Sequence, residues 1–275
     1  MRWVGADTEK RYKVAPHPLL RPEDVTYNFN SLGYRCPEFN LDKLEKKVIS
    51  VVSIGASEVF GIGLPEDKTF PHQFAKLLEK ETGYPVINWN LGMGGASSDY
   101  MSRTLFSALA VLKPDVVLFV LPPPRRREHI NQAGRAHFYI NTKTGINTLD
   151  KLKTYLVDPG HISQIKANNA LSSDFNDQIN YFKNYLICQS ICEKYDVMWL
   201  FSFISNKYMS HIEPLVKKEH LVAPGLLELA LKHKGNPAEG LARDMGHPGI
   251  KPNQEMAELF LERLKALYST RLESI

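Results

Sequence analysis

Val48-Ile49-Ser50-Val51-Val52-Ser53-Ile54-Gly55-Ala56-Ser57-Glu58-Val59-Phe60-Gly61 decides how this chain is read. Its first seven residues are β-branched apart from two small serines, the composition of a strand buried on both faces, as in a parallel sheet. Gly55 and Gly61 then bracket a stretch in which the backbone turns sharply or is closely approached. A serine just past the carboxyl end of a parallel strand stands where open α/β sheets hold their ligands. Ser57 is therefore the candidate nucleophile.

Outward from this stretch the chain alternates. Apolar runs of strand length recur at 86–91, 115–121 and 197–204. Between them the signals are helical. Thr69-Phe70-Pro71 opens a helix that Gly83 closes, and Ser97-Ser98-Asp99 caps a helix over 100–112 that ends at Lys113-Pro114. Ser173-Asp174 caps another, with Phe175, Ile179, Phe182, Leu186 and Cys188 or Gln189 as its expected stripe. A last amphipathic helix covers 253–268. Strands that alternate with helices predict an α/β fold with a mostly parallel, doubly wound sheet.

Residues 1–45 are polar and interrupted by Pro16, Pro18, Pro22 and Pro37, which predicts an N-terminal arm packing on a main domain of 46–275. Pro122-Pro123-Pro124 ends the third strand. Residues 125–172 read as a weakly patterned insertion at the edge of the site, with a helix over 149–156.

At 275 residues, 43% hydrophobic and 23% charged, the chain suits one large globular domain. A net charge of +4 gives little reason to invoke nucleic acid. Cys36, Cys188 and Cys192 are too few and odd in number for a disulfide framework, so they read as buried structural thiols. The N-terminus lacks a secretory apolar region and no run of about 18 apolar residues occurs, so the expectation is a cytoplasmic protein without a membrane partner. The glycines at 55–63 and 92–95 fit neither Gly-x-Gly-x-x-Gly nor the phosphate loop with its Gly-Lys-Ser/Thr ending, against nucleotide binding. No His-x-x-x-His or Asp-rich cluster is seen, so neither a metal nor another cofactor is expected. Oligomeric state stays open.

A serine hydroxyl is a weak nucleophile until a base takes its proton, and a histidine base is best oriented by a carboxylate. Of the nine histidines, His247 is the best placed: it precedes the last helix and has Asp244 three positions earlier. In a turn that offset lets the carboxylate reach the ring nitrogen facing away from the serine. The plainer alternative is an aspartate capping a turn beside an exposed histidine.

Gly55-Ala56-Ser57 followed by Phe60-Gly61, Asn90-Leu91-Gly92-Met93-Gly94-Gly95 after the next strand, and Asp244-Met245-Gly246-His247 near the end resemble, in order and spacing, the blocks of the SGNH hydrolases, or GDSL esterases and lipases. The resemblance covers about 48–270, and Asn30-Ser31-Leu32-Gly33-Tyr34-Arg35 is similar to a segment ahead of the first block in some members. It implies a flavodoxin-like three-layer sandwich, a Ser57–His247–Asp244 triad, and an oxyanion hole using Ser57 and Gly92. It also implies hydrolysis or transfer of a short acyl group such as acetyl, with a small-molecule or carbohydrate ester as substrate. Two departures stand out. Ala56 replaces the family's aspartate, and Pro122-Pro123-Pro124-Arg125 stands where a Gly-x-Asn-Asp block should supply a third oxyanion donor. Losing one such donor typically costs ~10²–10³ in rate. Arg125, Arg126 and Arg127 are the candidates to replace it or to bind substrate. The competing expectation is a non-catalytic protein that retains the fold.

Overall fold

The computed structural model describes residues 1–39, 48–130, 136–140, 167, 170–171, 173–208 and 212–273. Its centre is a four-stranded, wholly parallel sheet of β1 (Ile49–Ile54), β2 (Val86–Asn90), β3 (Val116–Leu121) and, later in the chain, β6 (Met198–Phe203), in the order β2-β1-β3-β6. Register runs from Ile49 against Val86, through Val51 against Val116, to Val116 against Met198. Chain reversal outward from β1 in both directions is the doubly wound arrangement, with its ligand crevice at the carboxyl ends of the strands.

The period-two alternation of each strand divides two cores. Val52, Ile54, Val117, Phe119, Trp199 and Phe201 face one side, where they meet α4 (Ser98–Leu112) and α5 (Asp174–Lys194). Ile49, Val51, Val116, Leu118, Met198 and Leu200 face the other, against α3 (Phe70–Thr82), α6 (Leu226–Lys232) and α7 (Ile250–Glu273). Because every residue of β1, β3 and β6 is buried, these strands read as continuous apolar runs. The result is a three-layer α/β/α sandwich. Among the described residues no helix is long and apolar enough to cross a membrane.

Three expectations change. The stripe expected on α5 is its packed face only in part: Phe182 packs on the core and Cys188 is buried, but Phe175 and Ile179 are exposed. The buried face carries Asp177, Asn180, Tyr181, Asn184, Tyr185, Cys188, Ile191 and Cys192. Its two asparagines are satisfied by α4: Asn180 and Asn184 both donate to Asp99 Oδ1 (2.8 and 2.9 Å), and Ser102 Oγ donates to Asn184 Oδ1 (2.9 Å). A helix interface built on hydrogen bonds escapes hydrophobic periodicity. Second, the arginine segment is not a plain loop. Arg126–Ile130 forms β4, paired antiparallel with β5 (Ala136–Ile140), and Asp99 Oδ2 anchors it by accepting from the Glu128 amide at 3.1 Å. Third, the final helix starts earlier, at Ile250, and the non-helical Tyr268, at the expected end, breaks the run before it continues to Glu273. The helix expected at 149–156, like most of the 125–172 insertion and the end of the arm, lies outside the described residues. Cys36, Cys188 and Cys192 are free and buried, and burial pushes their thiols up.

Residues 1–39 contain one short helix, α1 (Glu9–Val14), and lie against the chain around β1 and its following turn through buried polar groups. Arg243 meets Asp7 in an ion pair at 2.6 Å with both side chains essentially inaccessible, and also donates to the carbonyls of Arg2 (2.6 Å) and Pro22 (2.7 Å). Tyr27 donates to Asp7 Oδ2 (2.6 Å) and accepts from the Gly63 amide (2.7 Å). His17 Nδ1 accepts from the amides of Leu19 and Leu20, so its proton sits on Nε2 and is donated to the Leu241 carbonyl at 2.9 Å.

Candidate active site

β1 ends in a turn that only its own residues permit. A Cβ on Gly55 would stand 2.4 Å from Val59 Cγ2 and 2.9 Å from the Val120 carbonyl oxygen, so glycine alone fits between strand and turn. α2 (Ser57–Phe60) starts at once, with Ser57 at its first position and buried overall. The turn is pinned from two sides. Asn90, the last residue of β2, donates from Nδ2 to the Val59 carbonyl (2.8 Å). Arg35, fully buried, donates to the carbonyls of Phe60 (3.1 Å), Gly61 (2.7 Å) and Leu64 (2.8 Å).

Asp244 and His247 arrive from the other end of the chain. Their loop docks on the segment following α2, the Arg243 amide donating to the Gly63 carbonyl at 2.9 Å, and it is closed within itself by the Ala242 amide donating to the His247 carbonyl at 2.8 Å. Asp244 is buried. Its Oδ2 accepts from His247 Nδ1 at 2.8 Å, and its Oδ1 accepts from the amides of Gly246 (3.1 Å) and His247 (3.0 Å). That bond assigns the Nδ1 proton and leaves Nε2 as the base nitrogen. Burial works to raise the Asp244 carboxyl, but the hydrogen bond and charge of His247, with the two amides, outweigh it and hold the group below its ordinary range. Burial works to lower the His247 imidazole. The Asp244 hydrogen bond and charge, aided by the Glu58 carboxylate on α2, more than offset this and raise it above its ordinary value of 6.5, while Arg11 pulls the other way.

The aspartate and histidine read from the sequence are therefore brought together, and the charge of Glu58 on α2 acts on His247. Ser57 and His247 are not hydrogen-bonded to each other: the Ser57 hydroxyl makes no hydrogen bond to a described residue. Links of this kind are commonly loose in an unliganded site and tighten with substrate.

Gly92 does not have the free amide expected of it. Its N–H donates to Asn90 Oδ1 at 2.9 Å, and a Cβ there would lie 2.4 Å from the Phe60 amide nitrogen, so its role is close packing of the two loops. Further along, Met93 to Ala96 close a turn (Ala96 N–H to Met93 carbonyl, 3.0 Å) with Gly95 at φ +78° and open space around it. The arginines divide. Arg125 pairs with Asp174 (2.9 Å) and Arg127 with the buried Asp177 (3.0 Å), both in the first turn of α5. Arg126 extends to the Ala96 carbonyl at 3.4 Å, on the rim of the loop after β2. A cleft of about 370 Å³ opens at the ends of β3 and β6, lined by Pro123, Arg125, Asp177, Tyr181, Lys207 and Tyr208, and neither Ser57 nor His247 lines it. Among the described residues no group of three or more His, Cys, Asp or Glu side chains could hold a metal ion.

Sequence reasoning passed over Asn90, Glu58, Arg35, Arg243 and Arg11. A polar residue closing a buried strand was a signal for Asn90, and an arginine directly before the candidate aspartate was one for Arg243. Arg11 had none, because its partner is more than two hundred residues away in the chain.

No protein-family model matches this chain, and no curated protein matches it in sequence. Among solved structures it is similar to the lipase Lip_vut3 from a goat rumen metagenome, at 15% identity and a TM-score of 0.47 over 78% of this chain and 97% of that one. It is similar also to the psychrotrophic esterase EstA of Pseudoalteromonas sp. (15% identity, TM-score 0.47, 79% and 97%) and to the acetyl xylan esterase AlAXEase (16%, 0.47, 78% and 98%). Likenesses with TM-scores below 0.5 carry neither the fold nor the chemistry of this chain, both of which rest on its own residues.

Proposed function

We propose that this protein is a serine esterase that removes, or transfers, a short acyl group such as acetyl from a small-molecule or carbohydrate ester. The observation that carries the reading is the buried Asp244 holding His247 Nδ1 at 2.8 Å, in a loop docked on the segment that follows Ser57. In this reading the Ser57 hydroxyl attacks the ester carbonyl while His247 Nε2 takes its proton. The carbonyl oxygen becomes an oxyanion, held by the Ser57 amide and by an amide of the Gly94–Gly95 turn instead of Gly92. His247 then protonates the leaving alcohol, and the acyl group remains on Ser57 until water or a second alcohol, deprotonated by His247, releases it. Asp244 balances the imidazolium throughout.

The test is covalent. Incubation with a p-nitrophenyl alkylphosphonate should add one phosphonyl group to Ser57, located by peptide mass spectrometry, and should abolish hydrolysis of p-nitrophenyl acetate in parallel. Labelling elsewhere, or no hydrolysis to abolish, overturns the reading. The second reading, a binding protein that keeps the fold without catalysis, is favoured by the missing Ser57–His247 bond and by the prolines at 122–124. It forecasts the latter outcome.

A pH profile follows from the His247 surroundings. The working imidazole is neutral, and its protonation is favoured over the ordinary value. The acid limb of kcat/KM for p-nitrophenyl acetate should have its midpoint above 6.5, with the rate rising as pH rises through it. A profile flat down to pH 5 would contradict a histidine base.

A further inference from the structure

α1 is odd as a structural element. It is six residues long and fully buries none of its side chains, its one half-buried residue, Tyr12, resting on Trp3 (ring centroids 6.0 Å apart). Yet it is capped by Thr8, whose hydroxyl accepts from the Arg11 amide at 3.2 Å, and it follows directly on Asp7, the buried partner of Arg243. What this anchored helix delivers is Arg11. The Arg11 guanidinium lies 3.5 Å from Asp244 Oδ2, the oxygen that holds His247 Nδ1. It also rests on the backbone of Gly246, where a Cβ would come within 2.5 Å of Nη2.

We propose that Arg11 is a positioning residue of the active site: it fixes the Asp244 carboxylate that orients His247, and it sets a positive charge against the two carboxylates around the imidazole. The charged groups that bear on His247 are Asp244 from its own loop, Glu58 from α2 and Arg11 from α1. Two carboxylates and no cation would keep the imidazole protonated further up the pH scale, where a general base must be neutral. Arg11 reduces that bias. It is the N-terminal arm, and not the sheet, that supplies this control, so the arm belongs to the site's chemistry.

The activity readout rests on the esterase reading; a second readout does not. Arg11 is 44% exposed, so its replacement removes the contact with Asp244 without opening a cavity in the core. In Arg11→Gln the acid limb of kcat/KM should move upward by roughly half a pH unit, the shift expected from removing one unit charge several ångströms away near a surface. That is about a threefold loss at the acid end, with little change above pH 9. Arg11→Lys, which keeps the charge, should stay close to the wild type. Separately, the His247 imidazole followed by ¹⁵N NMR should titrate higher in Arg11→Gln by the same interval, whether or not the protein turns over an ester. An unmoved His247 titration in Arg11→Gln, with an unchanged melting temperature, overturns the proposal. So does a shift in Arg11→Lys as large as in Arg11→Gln. Absence of turnover in every variant overturns only the esterase reading, and the NMR titration still decides the role of Arg11.

Discussion

Ser57→Ala should lower kcat for p-nitrophenyl acetate by roughly 10⁴- to 10⁶-fold, with KM little altered. The reason is that no other group described at the carboxyl end of β1 could replace the hydroxyl: Ala56 before it is inert, and the Glu58 after it would act on His247 by charge. Triad members act as a unit, so His247→Ala should cost a similar factor, and the double variant should be hardly worse than either single one. That non-additivity separates a nucleophile–base pair from two independent contributors. Equal activity of Ser57→Ala and the wild type would remove the serine mechanism entirely. Additive losses would leave Ser57 and His247 without a shared step.

The second large effect concerns stability. Arg243→Met should destabilise the protein by ~3–5 kcal/mol, because it strands the Asp7 carboxylate in a buried position with Tyr27 as its remaining hydrogen-bond donor. For a chain of this size the melting midpoint should fall by roughly 10 °C. The carbonyls of Arg2 and Pro22 also lose their donor. Replacing both members, Asp7→Leu with Arg243→Met, should be less damaging than Arg243→Met alone, since no unpaired charge is then buried. Thermal unfolding by circular dichroism reads the first effect. Hydrogen exchange over residues 1–39 shows whether the arm opens before the sheet does. A loss below about 1 kcal/mol for Arg243→Met would mean that the pair is solvated in solution.

Both effects bear on the same question, how far a chain can be read before it is folded. The sheet was legible because β1, β3 and β6 are buried on both faces, and burial on both faces leaves only apolar or small residues to choose from. Helix limits were legible where a backbone terminus demands a particular residue: Gly83 ends α3 in the left-handed conformation, and Ser97 and Ser173 accept from the amides of Tyr100 and Asn176. The Asp244–His247 contact was legible because three residues in one turn leave the two side chains few ways to miss each other.

What failed was of another kind. The packed face of α5 is lined with asparagine, aspartate and tyrosine, and no apolar count finds an interface whose cohesion is hydrogen bonding to Ser98, Asp99 and Ser102 of α4. Gly92 looked like a free donor in a glycine-rich loop, but Asn90 two residues earlier folds back to occupy it. The arginines looked equivalent. They were distinguished only when β4 turned alternate side chains different ways and the first turn of α5 supplied Asp174 and Asp177.

By itself, then, the sequence determined the α/β layering, the serine at the end of β1 and the local aspartate–histidine pair, since each follows from spacing within a few residues or from a uniform environment. Tertiary structure alone decided that Arg11 reaches Asp244, that Arg243 buries Asp7, and that the Gly92 amide is occupied by Asn90. Those are contacts between residues up to 236 positions apart. Their energy depends on distance and burial in the folded molecule, and neither quantity exists along the chain.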